Sequence, residues 1–307
     1  MNVLVGCTGF VGSNIYDKGA MDLGFHSTDI TQAYGLAPDL LVYAGLRAEK
    51  YLANHAPQQD LEQIREAAEN IRKIAPRKLV LISTVDVFRV PVGVDETTEV
   101  DSTGLHAYGL NRYRLECMVR EMYPDALIVR LPGLFGKGIK KNFIFDYMHV
   151  IPTMLTAERF RELAEREAVL EEFYILKDNG FYQCRALEEQ ERKMLRERFL
   201  ALGFTALHFT DSRSMYQFYP LDRLWEDIQT GLTNGLGLLH LATEPVGAGE
   251  LYTYLTGRHF VNELAGHPVK YDYRTIHDRL FGGAGGYLCG KDEVMEAIRK
   301  FTEVTGK

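Results

Sequence analysis

The sequence predicts an α/β protein built on a doubly wound parallel sheet, with a smaller and mainly helical second part. Strand-like and helix-like segments alternate through the first half of the chain, which is typical of a parallel sheet with helices on both faces. Strands such as 78–84 are near-continuous apolar runs, as expected where both faces of a strand are buried. The first of these strands leads directly into a glycine-rich turn and a helix.

Apolar periodicity and turn residues predict the elements in chain order. Strands are predicted at 1–5, 24–27, 38–45, 78–84, 126–131, 204–209 and 237–241. Helices are predicted from Ser13, over 60–75, 111–122 and 221–232, and after the glycine cluster 281–286. The stretch between the first helix and Pro38 barely holds a strand–helix–strand unit, which leaves room for one strand fewer than usual.

A charged segment over about 156–202 interrupts this alternation. Its two parts, 157–163 and 188–202, carry charges at i, i+4 spacings that are typical of solvated helix faces. We therefore expect a mainly helical insertion without chemistry of its own.

The composition excludes several classes of function. The net charge of the 307 residues is −7, whereas a nucleic-acid binder usually has a basic excess. No apolar run approaches the roughly 20 residues that cross a bilayer, and no leader-like pattern is present, so we expect a cytoplasmic protein without membrane contact. The four cysteines are scattered without a C-x-x-C pair, which predicts neither a disulfide framework nor a zinc site; they are Cys7, Cys117, Cys184 and Cys289.

The turn after the first strand has the spacing G-x-x-G-x-x-G, formed by Gly6, Gly9 and Gly12. Glycines let the backbone turn tightly and approach phosphates closely, and the following helix offers N–H groups and a positive dipole end. We expect this turn to hold the pyrophosphate of a dinucleotide. The later cluster 281–286 follows no clear strand and is expected to be a flexible turn.

A hydroxyl, a phenol and a guanidinium follow the glycine turn in order. Thr84 ends a buried strand, and Tyr108 and Arg112 are an i, i+4 pair that shares one face of a helix. A neighbouring cation favours the phenolate, so the pKa of Tyr108 is expected to lie below its ordinary value of about 10. Such a site can move a proton on or off a sugar hydroxyl while a cofactor exchanges hydride at that carbon.

These motifs resemble the extended short-chain dehydrogenase/reductase family of nucleotide-sugar epimerases, dehydratases and reductases. The resemblance rests on Gly6–Gly12, Leu81–Phe88, Tyr108–Glu116 and Arg130–Gly136, and returns weakly over 215–243. It implies a Rossmann-type fold with NAD, or alternatively NADP, as cofactor. It implies Tyr108 as the acid/base, Thr84 as its hydroxyl partner, and a set of cofactor-binding residues: Gly6, Gly9, Phe10, Val11, Gly12, Ala44, Gly45, Ser83, Tyr108, Arg112 and Pro132.

The chain departs from the family pattern at Arg112, where the family has a lysine that binds the nicotinamide ribose and lowers the tyrosine pKa. Arginine keeps the charge, but its planar fork is larger and places its donors differently. Either Arg112 substitutes with adjusted geometry, or the redox role has weakened; we favour substitution. Asp29, after the second strand, is the candidate acceptor for the adenosine ribose and favours NAD.

The sequence around Asp86 differs from that of the family's dehydratases, which carry Thr-Asp-Glu where this chain has Thr84-Val85-Asp86. The dehydrating carboxylic acid is therefore absent. In one family member, GDP-fucose synthase, the matching position holds an acid/base cysteine, so a carboxylate there can deprotonate a carbon beside a transient ketone. The alternative is that Asp86 faces solvent or caps a turn.

Candidate substrate contacts rest on weaker matches. His149 resembles a histidine segment of the same synthase, and an alternative alignment matches Asn142 to the family's substrate-contacting asparagine; both alignments cannot hold in full. Tyr216 occupies the approximate position of the usual phosphate-binding arginine, and Arg213 lies three residues earlier. A structural role for the histidine remains an alternative.

We therefore expect a dinucleotide-binding Rossmann domain over 1–140 and 215–243, and a substrate-binding part over 141–214 and 244–307. The predicted function is NAD(P)-dependent epimerisation or keto-sugar reduction of a nucleotide-linked sugar. The competing hypothesis is a cofactor-binding redox sensor or scaffold without turnover. The resemblance also implies a homodimer.

Overall fold

The chain forms two compact units in a computed structural model that describes residues 1–19 and 21–305. The first unit comprises Met1–Ile139, Met215–Val246 and Lys270–Arg299. The second comprises Lys140–Ser214, Gly247–Val269 and the chain from Lys300. Residues 270–299 thus lie with the first unit, whereas the sequence grouped them with the substrate-binding part. The division into cofactor and substrate roles stays a prediction.

The strands and helices are numbered in chain order. The strands are β1 Asn2–Val5, β2 Leu23–Phe25, β3 Leu40–Tyr43, β4 Lys78–Thr84, β5 Leu127–Leu131, β6 Gly133–Phe135, β7 Met154–Thr156, β8 Tyr174–Leu176, β9 Phe181–Cys184, β10 Met215–Tyr216, β11 Phe218–Pro220, β12 Leu238–His240 and β13 Val246–Gly247. The helices are α1 Phe10–Tyr16, α2 Lys50–His55, α3 Pro57–Ile74, α4 Ala107–Met122, α5 Phe143–His149, α6 Ala157–Arg166, α7 Glu189–Leu202, α8 Leu224–Thr233, α9 Ala248–Thr256 and α10 Lys291–Thr305. Within the described ranges, no helix is long and apolar enough to cross a membrane.

A six-stranded parallel sheet forms the centre of the first unit, in the order β12-β5-β4-β3-β1-β2. The predicted α/β fold with a doubly wound parallel sheet is therefore confirmed. Strand β2 lies on one side of β1, and the chain then crosses to β3 on the other side of β1. The direction in which successive strands are added to the sheet therefore reverses between β1 and β3. Ligands of open α/β sheets bind outside the carboxyl ends of the strands at such a reversal.

The short connection between β2 and β3 contains a single 3₁₀ turn, Ile30–Ala33, instead of an α-helix. Strand β2 is the edge of the sheet.

Helices α3 and α4 cover one face of the sheet. The buried side chains of α3 recur every three or four residues, as an amphipathic helix requires; they include Ile64, Ala67, Ile71 and Ile74. They pack against Leu79 and Leu81 of β4 and Leu115 and Val119 of α4. Each fully buried isoleucine or leucine contributes about 1.5–3 kcal/mol, so this layer holds α3 and α4 against the sheet.

A buried ionic network ties α4 to the sheet. Glu116 accepts hydrogen bonds from Arg130 of β5 (2.6 and 3.1 Å) and from the Ser83 hydroxyl of β4 (2.5 Å). Arg130 also contacts Nε2 of His240 in β12 at 3.2 Å. Since these charges are buried, removing one partner of such a pair strands the other at high cost. The network therefore sets the register of α4 along β4.

The second unit contains a three-stranded antiparallel sheet, β7-β9-β8, beside α6 and α7. The two charged helices predicted here are confirmed, whereas the sequence missed the sheet because its strands have only three or four residues. The strand predicted at 204–209 is wrong. The Thr205 N–H donates a hydrogen bond to the His208 ring, and the Thr205 side chain accepts one from the His208 backbone. This capping arrangement starts a 3₁₀ turn at Ala206–Phe209.

Candidate active site

The glycine turn lies at the sheet's order reversal, between the carboxyl ends of β1 and β3. Gly6 has φ +92°, and a Cβ there would lie 2.4 Å from the carbonyl oxygen of Ala44. A Cβ on Gly12 would lie 2.1 Å from the carbonyl oxygen of Gly6. Both positions therefore require glycine, because α1 and the residues after β3 approach the turn as closely as backbone allows.

The turn presents backbone N–H groups from an exposed rim. Gly9 is the N-cap of α1, and no side chain caps this helix. The N–H groups of the first helical turn, which begins with Phe10 and Val11, have no intrahelical partner by geometry. Such uncapped donors suit an anionic diphosphate.

The other predicted cofactor positions in the first unit border the turn or the neighbouring strand ends. A Cβ on Gly45 would meet the side chain of Val5 at 2.9 Å, so this residue packs directly on β1. Asp29 follows β2 and accepts from the N–H of His26 at 2.7 Å, with its other oxygen 3.1 Å from His26 Nε2. Pro132 lies between β5 and β6.

Ser83 lies beside this region, but its hydroxyl points into the protein. It donates to Glu116 in the buried network described above. Any contact of Ser83 with a cofactor must therefore come from its backbone.

Tyr108 lies in the first turn of α4, directly against the turn that follows β4. A Cβ on Gly109 would lie 2.0 Å from the carbonyl oxygen of Asp86, so helix and turn are in backbone contact. The Tyr108 N–H donates to Asn54 Oδ1 and the Gly109 N–H to His106 Nδ1, both at 3.0 Å. Thr84 lies close enough to the phenol to act on the pKa of Tyr108, which it lowers.

The expected lowering of the Tyr108 pKa is wrong. Burial raises the pKa of Tyr108 to about 12, because only 8% of the residue is exposed. Arg112 and Thr84 act in the opposite direction, while the carboxylates of Asp86 and Asp60 add to the increase. The Arg112 guanidinium lowers the pKa of Tyr108, as predicted, but burial raises this pKa by more.

Arg112 is engaged inside the protein. Its guanidinium lies 4.2 Å from the centre of the Tyr108 ring, which confirms the shared helix face. Nη1 contacts both oxygens of Asp60 at 2.5 Å, and Nη2 donates to the carbonyl of Arg47 at 2.8 Å. Arg112 and Asp60 are 5% and 6% exposed. The guanidinium is therefore held in a buried ion pair beneath the phenol.

Asp86 neither faces open solvent nor caps the turn. The cap of the 3₁₀ turn Val85–Val87 is Thr84, whose hydroxyl oxygen accepts from the Asp86 N–H at 3.1 Å. The Asp86 carboxylate instead pairs with Lys50 Nζ at 2.9 Å and lies 3.4 Å from the Tyr271 hydroxyl. A carboxylate and an ammonium thus accompany the phenol.

The predicted substrate contacts fall in different units. Tyr216 belongs to the first unit, and its ring stacks on Tyr271 with centroids 6.5 Å apart. Arg213 belongs to the second unit, where Asp211 and Glu263 bind its guanidinium at 2.6–3.0 Å. These two carboxylates offset the charge of Arg213.

Asn142 and His149 lie at the two ends of α5, in the second unit. The Asn142 side-chain oxygen caps the helix by accepting from two backbone N–H groups at 3.0 and 3.2 Å. The His149 ring stacks on Phe145 at 3.9 Å, and burial lowers the pKa of His149. Both side chains therefore have structural partners, and their proposed substrate roles stay predictions.

Three members of this site were not predicted from the sequence: Lys50, Asp60 as the partner of Arg112, and Tyr271. Lys50 lies in a segment without a predicted element, and Tyr271 lies 185 residues from its partner Asp86. No local spacing connects such residues, although Asp60 was visible as the start of a predicted helix.

No family model and no curated protein matches this sequence. Among solved structures, a dTDP-4-dehydrorhamnose reductase from Yersinia enterocolitica matches with TM-score 0.64 and 11% identity over 98% of both chains. A dTDP-4-dehydrorhamnose reductase from Bacillus anthracis in complex with NADP has TM-score 0.62 and 16% identity, over 99% of this chain and 97% of that one. A UDP-glucuronic acid 4-epimerase variant from Bacillus cereus, with a UDP-linked sugar and NAD, has TM-score 0.59 and 13% identity, over 99% of this chain and all of that one. The chain shares the fold of these reductases and epimerases.

Proposed function

We propose that the protein is an NAD(P)-dependent enzyme that reduces or epimerises a nucleotide-linked sugar, with Tyr108 as its acid/base. The observation that carries this proposal is the presence in one unit of two features. One is the glycine turn at the reversal between β1 and β3, and the other is Tyr108 beside Thr84 at the carboxyl end of β4. Solved proteins with this fold include sugar-nucleotide reductases and epimerases, and two of them contain NADP or NAD.

The residues around the turn fit a dinucleotide. Gly6 and Gly12 leave no room for side chains between the turn and its neighbours, and the N-terminus of α1 is uncapped. Asp29, four residues after β2, can accept a hydrogen bond from a ribose hydroxyl, which favours NAD over NADP. When bound, the nicotinamide exchanges hydride with the sugar carbon.

Tyr108 is prepared to act as a general acid. With a pKa of about 12 the phenol is protonated at neutral pH. It can donate its proton to the oxygen of a sugar ketone when hydride reaches the carbonyl carbon, and solvent then reprotonates it. Thr84 accepts from a backbone N–H, so its own proton is available for the phenol or the sugar oxygen. The protonated phenol is the form that the reductive step requires.

The second candidate function is cofactor binding without turnover. The observation that favours it is the ion pair of Arg112 with Asp60, since a guanidinium held in this way has few donors left for a ribose. Under this alternative, Tyr108 and Thr84 are ordinary packing residues.

Tyr108→Phe separates the two candidates. We would measure NAD(P)H oxidation with dTDP-, UDP- and GDP-linked 4-keto-6-deoxy sugars, and cofactor affinity by fluorescence titration. Loss of the proton donor should lower kcat by about 10²- to 10⁴-fold and leave cofactor affinity nearly unchanged. The matched control is Tyr123→Phe at the other end of α4, about 22 Å away along the helix axis.

Two results would reject the proposed chemistry. Equal turnover in Tyr108→Phe and wild type would remove the acid/base role. Cofactor binding without hydride transfer to any sugar of the panel would favour the second candidate.

A further inference from the structure

Helix α4, which carries Tyr108, begins with a histidine cap. His106 is the N-cap residue, and its ring nitrogen Nδ1 accepts the N–H of Gly109 at 3.0 Å. Serine, threonine, aspartate and asparagine are the usual residues at this position, because their short side chains offer an oxygen acceptor. A histidine ring can replace that oxygen only through a nitrogen that carries no proton. The cap of α4 therefore depends on the protonation state of one side chain.

The cap acts where α4 meets the turn that follows β4. A Cβ on Gly109 would lie 2.0 Å from the Asp86 carbonyl oxygen and 3.1 Å from Cε1 of His106, so the ring and the turn both pack on this glycine. The preceding N–H, that of Tyr108, is bound by Asn54 Oδ1 at 3.0 Å. These N–H groups of the first turn have no acceptor within the helix. The backbone at Tyr108 is thus held by two side chains, and one of them can titrate.

The groups around the His106 ring favour its neutral form. The residue is half-buried, and burial lowers the pKa of His106 below its ordinary value of 6.5; the Lys50 ammonium of α2 lowers it further, while the Asp86 carboxylate raises it. The Tyr108 ring lies 6.2 Å from the imidazole, centre to centre. The N-terminal end of a helix also disfavours a cation. The ring is therefore neutral at pH 7, and the acceptor is lost only as the pH falls below 6.5.

We propose that His106 is a positioning residue for Tyr108, and that its cap on Gly109 makes proton donation by the phenol dependent on a neutral imidazole ring. Protonation of Nδ1 frees the Gly109 N–H, and the first turn of α4 is then no longer fixed against the turn after β4. Turnover therefore decreases as the pH falls, although the phenol itself stays protonated. This inference rests on the proposed function.

The test compares kcat across about pH 5 to 8 in wild type, His106→Asn and His106→Ala, with NAD(P)H and dTDP-4-dehydro-6-deoxyglucose. Asparagine is a good N-cap that does not titrate. The ratio of wild-type to His106→Asn kcat should be close to one at the alkaline end and fall by up to about fivefold at the acid end, since one N-cap changes an equilibrium by about this factor. His106→Ala should be about fivefold slower than wild type at the alkaline end. The KM for the cofactor should stay unchanged in both variants, because the glycine turn is not altered.

His208→Ala is the matched control, since Nδ1 of His208 accepts the Thr205 N–H at 3.0 Å in a capping arrangement of the second unit. It should keep the wild-type dependence of kcat on pH. A constant ratio of wild-type to His106→Asn kcat across the whole pH range overturns the inference and leaves the proposed function standing. Wild-type kcat in His106→Ala at the alkaline end does the same. Absence of turnover by wild type at every pH overturns the inference together with the proposed function.

Discussion

An alanine at Gly12 should damage both stability and cofactor binding. The added Cβ would lie 2.1 Å from the Gly6 carbonyl oxygen, whereas ordinary contact begins at 3.4 Å, so α1 and the turn must separate by about 1.3 Å. Overpacking of this kind costs about 1–3 kcal/mol. The separation also misaligns the turn's N–H groups, and loss of one hydrogen bond to a charged phosphate, about 1.5–3 kcal/mol, lowers affinity at least about tenfold.

Urea denaturation and NADH titration of three glycine variants would measure both effects. In Gly9→Ala the new Cβ lies 3.2 Å from the same oxygen, so a smaller loss is expected. Gly237→Ala is the control, because nothing lies within 4 Å of its Cβ. The expected order of damage is Gly12, then Gly9, then Gly237. Equal stability and equal NADH affinity for Gly12→Ala and Gly237→Ala would refute the close-approach argument.

Two further predictions concern the residues beneath and at the phenol. Asp60→Asn leaves the buried Arg112 guanidinium without its counter-charge and should lower the free energy of unfolding by about 3–5 kcal/mol in urea denaturation. The double variant Asp60→Leu/Arg112→Met should recover most of this loss. An Asp60→Asn variant as stable as wild type would contradict the reasoning. The raised pKa of Tyr108, about 12, means that the ligand-free protein keeps this phenol protonated above pH 10. The ultraviolet difference between wild type and Tyr108→Phe should therefore show no tyrosinate signal below pH 11, and a midpoint below 10 would contradict the burial argument.

The sheet was predictable because its strands are local apolar runs with clear ends. Strand β4 occupies the predicted residues 78–84, and α3 buries Ile64, Ile71 and Ile74 as its periodicity indicates. The strand predicted at 204–209 failed because a Thr205–His208 capping arrangement overrode a short apolar pattern. Strands of three residues, such as β7 and β8, are too short to produce a periodic signal.

The candidate site was predictable only where its chemistry is local. The i, i+4 spacing of Tyr108 and Arg112 and the close approach at Gly6 could be inferred from neighbouring residues. Whether the Tyr108 pKa rises or falls depends on burial and on Asp60, 52 residues from Arg112, so spacing alone gave the wrong sign. The pairing of Lys50 with Asp86 spans 36 residues and follows from how α2 packs.

Transfer of isotope from the cofactor tests the central claim most directly. Wild-type protein would be incubated with NADH or NADPH carrying deuterium in both positions at C4, together with dTDP-4-dehydro-6-deoxyglucose, and the nucleotide sugar analysed by mass spectrometry. The proposed hydride transfer predicts a reduced sugar that carries one deuterium, at a rate that falls by orders of magnitude in Tyr108→Phe. Recovery of unchanged, unlabelled sugar after prolonged incubation with protein that demonstrably binds the cofactor would contradict the claim that this protein reduces nucleotide sugars.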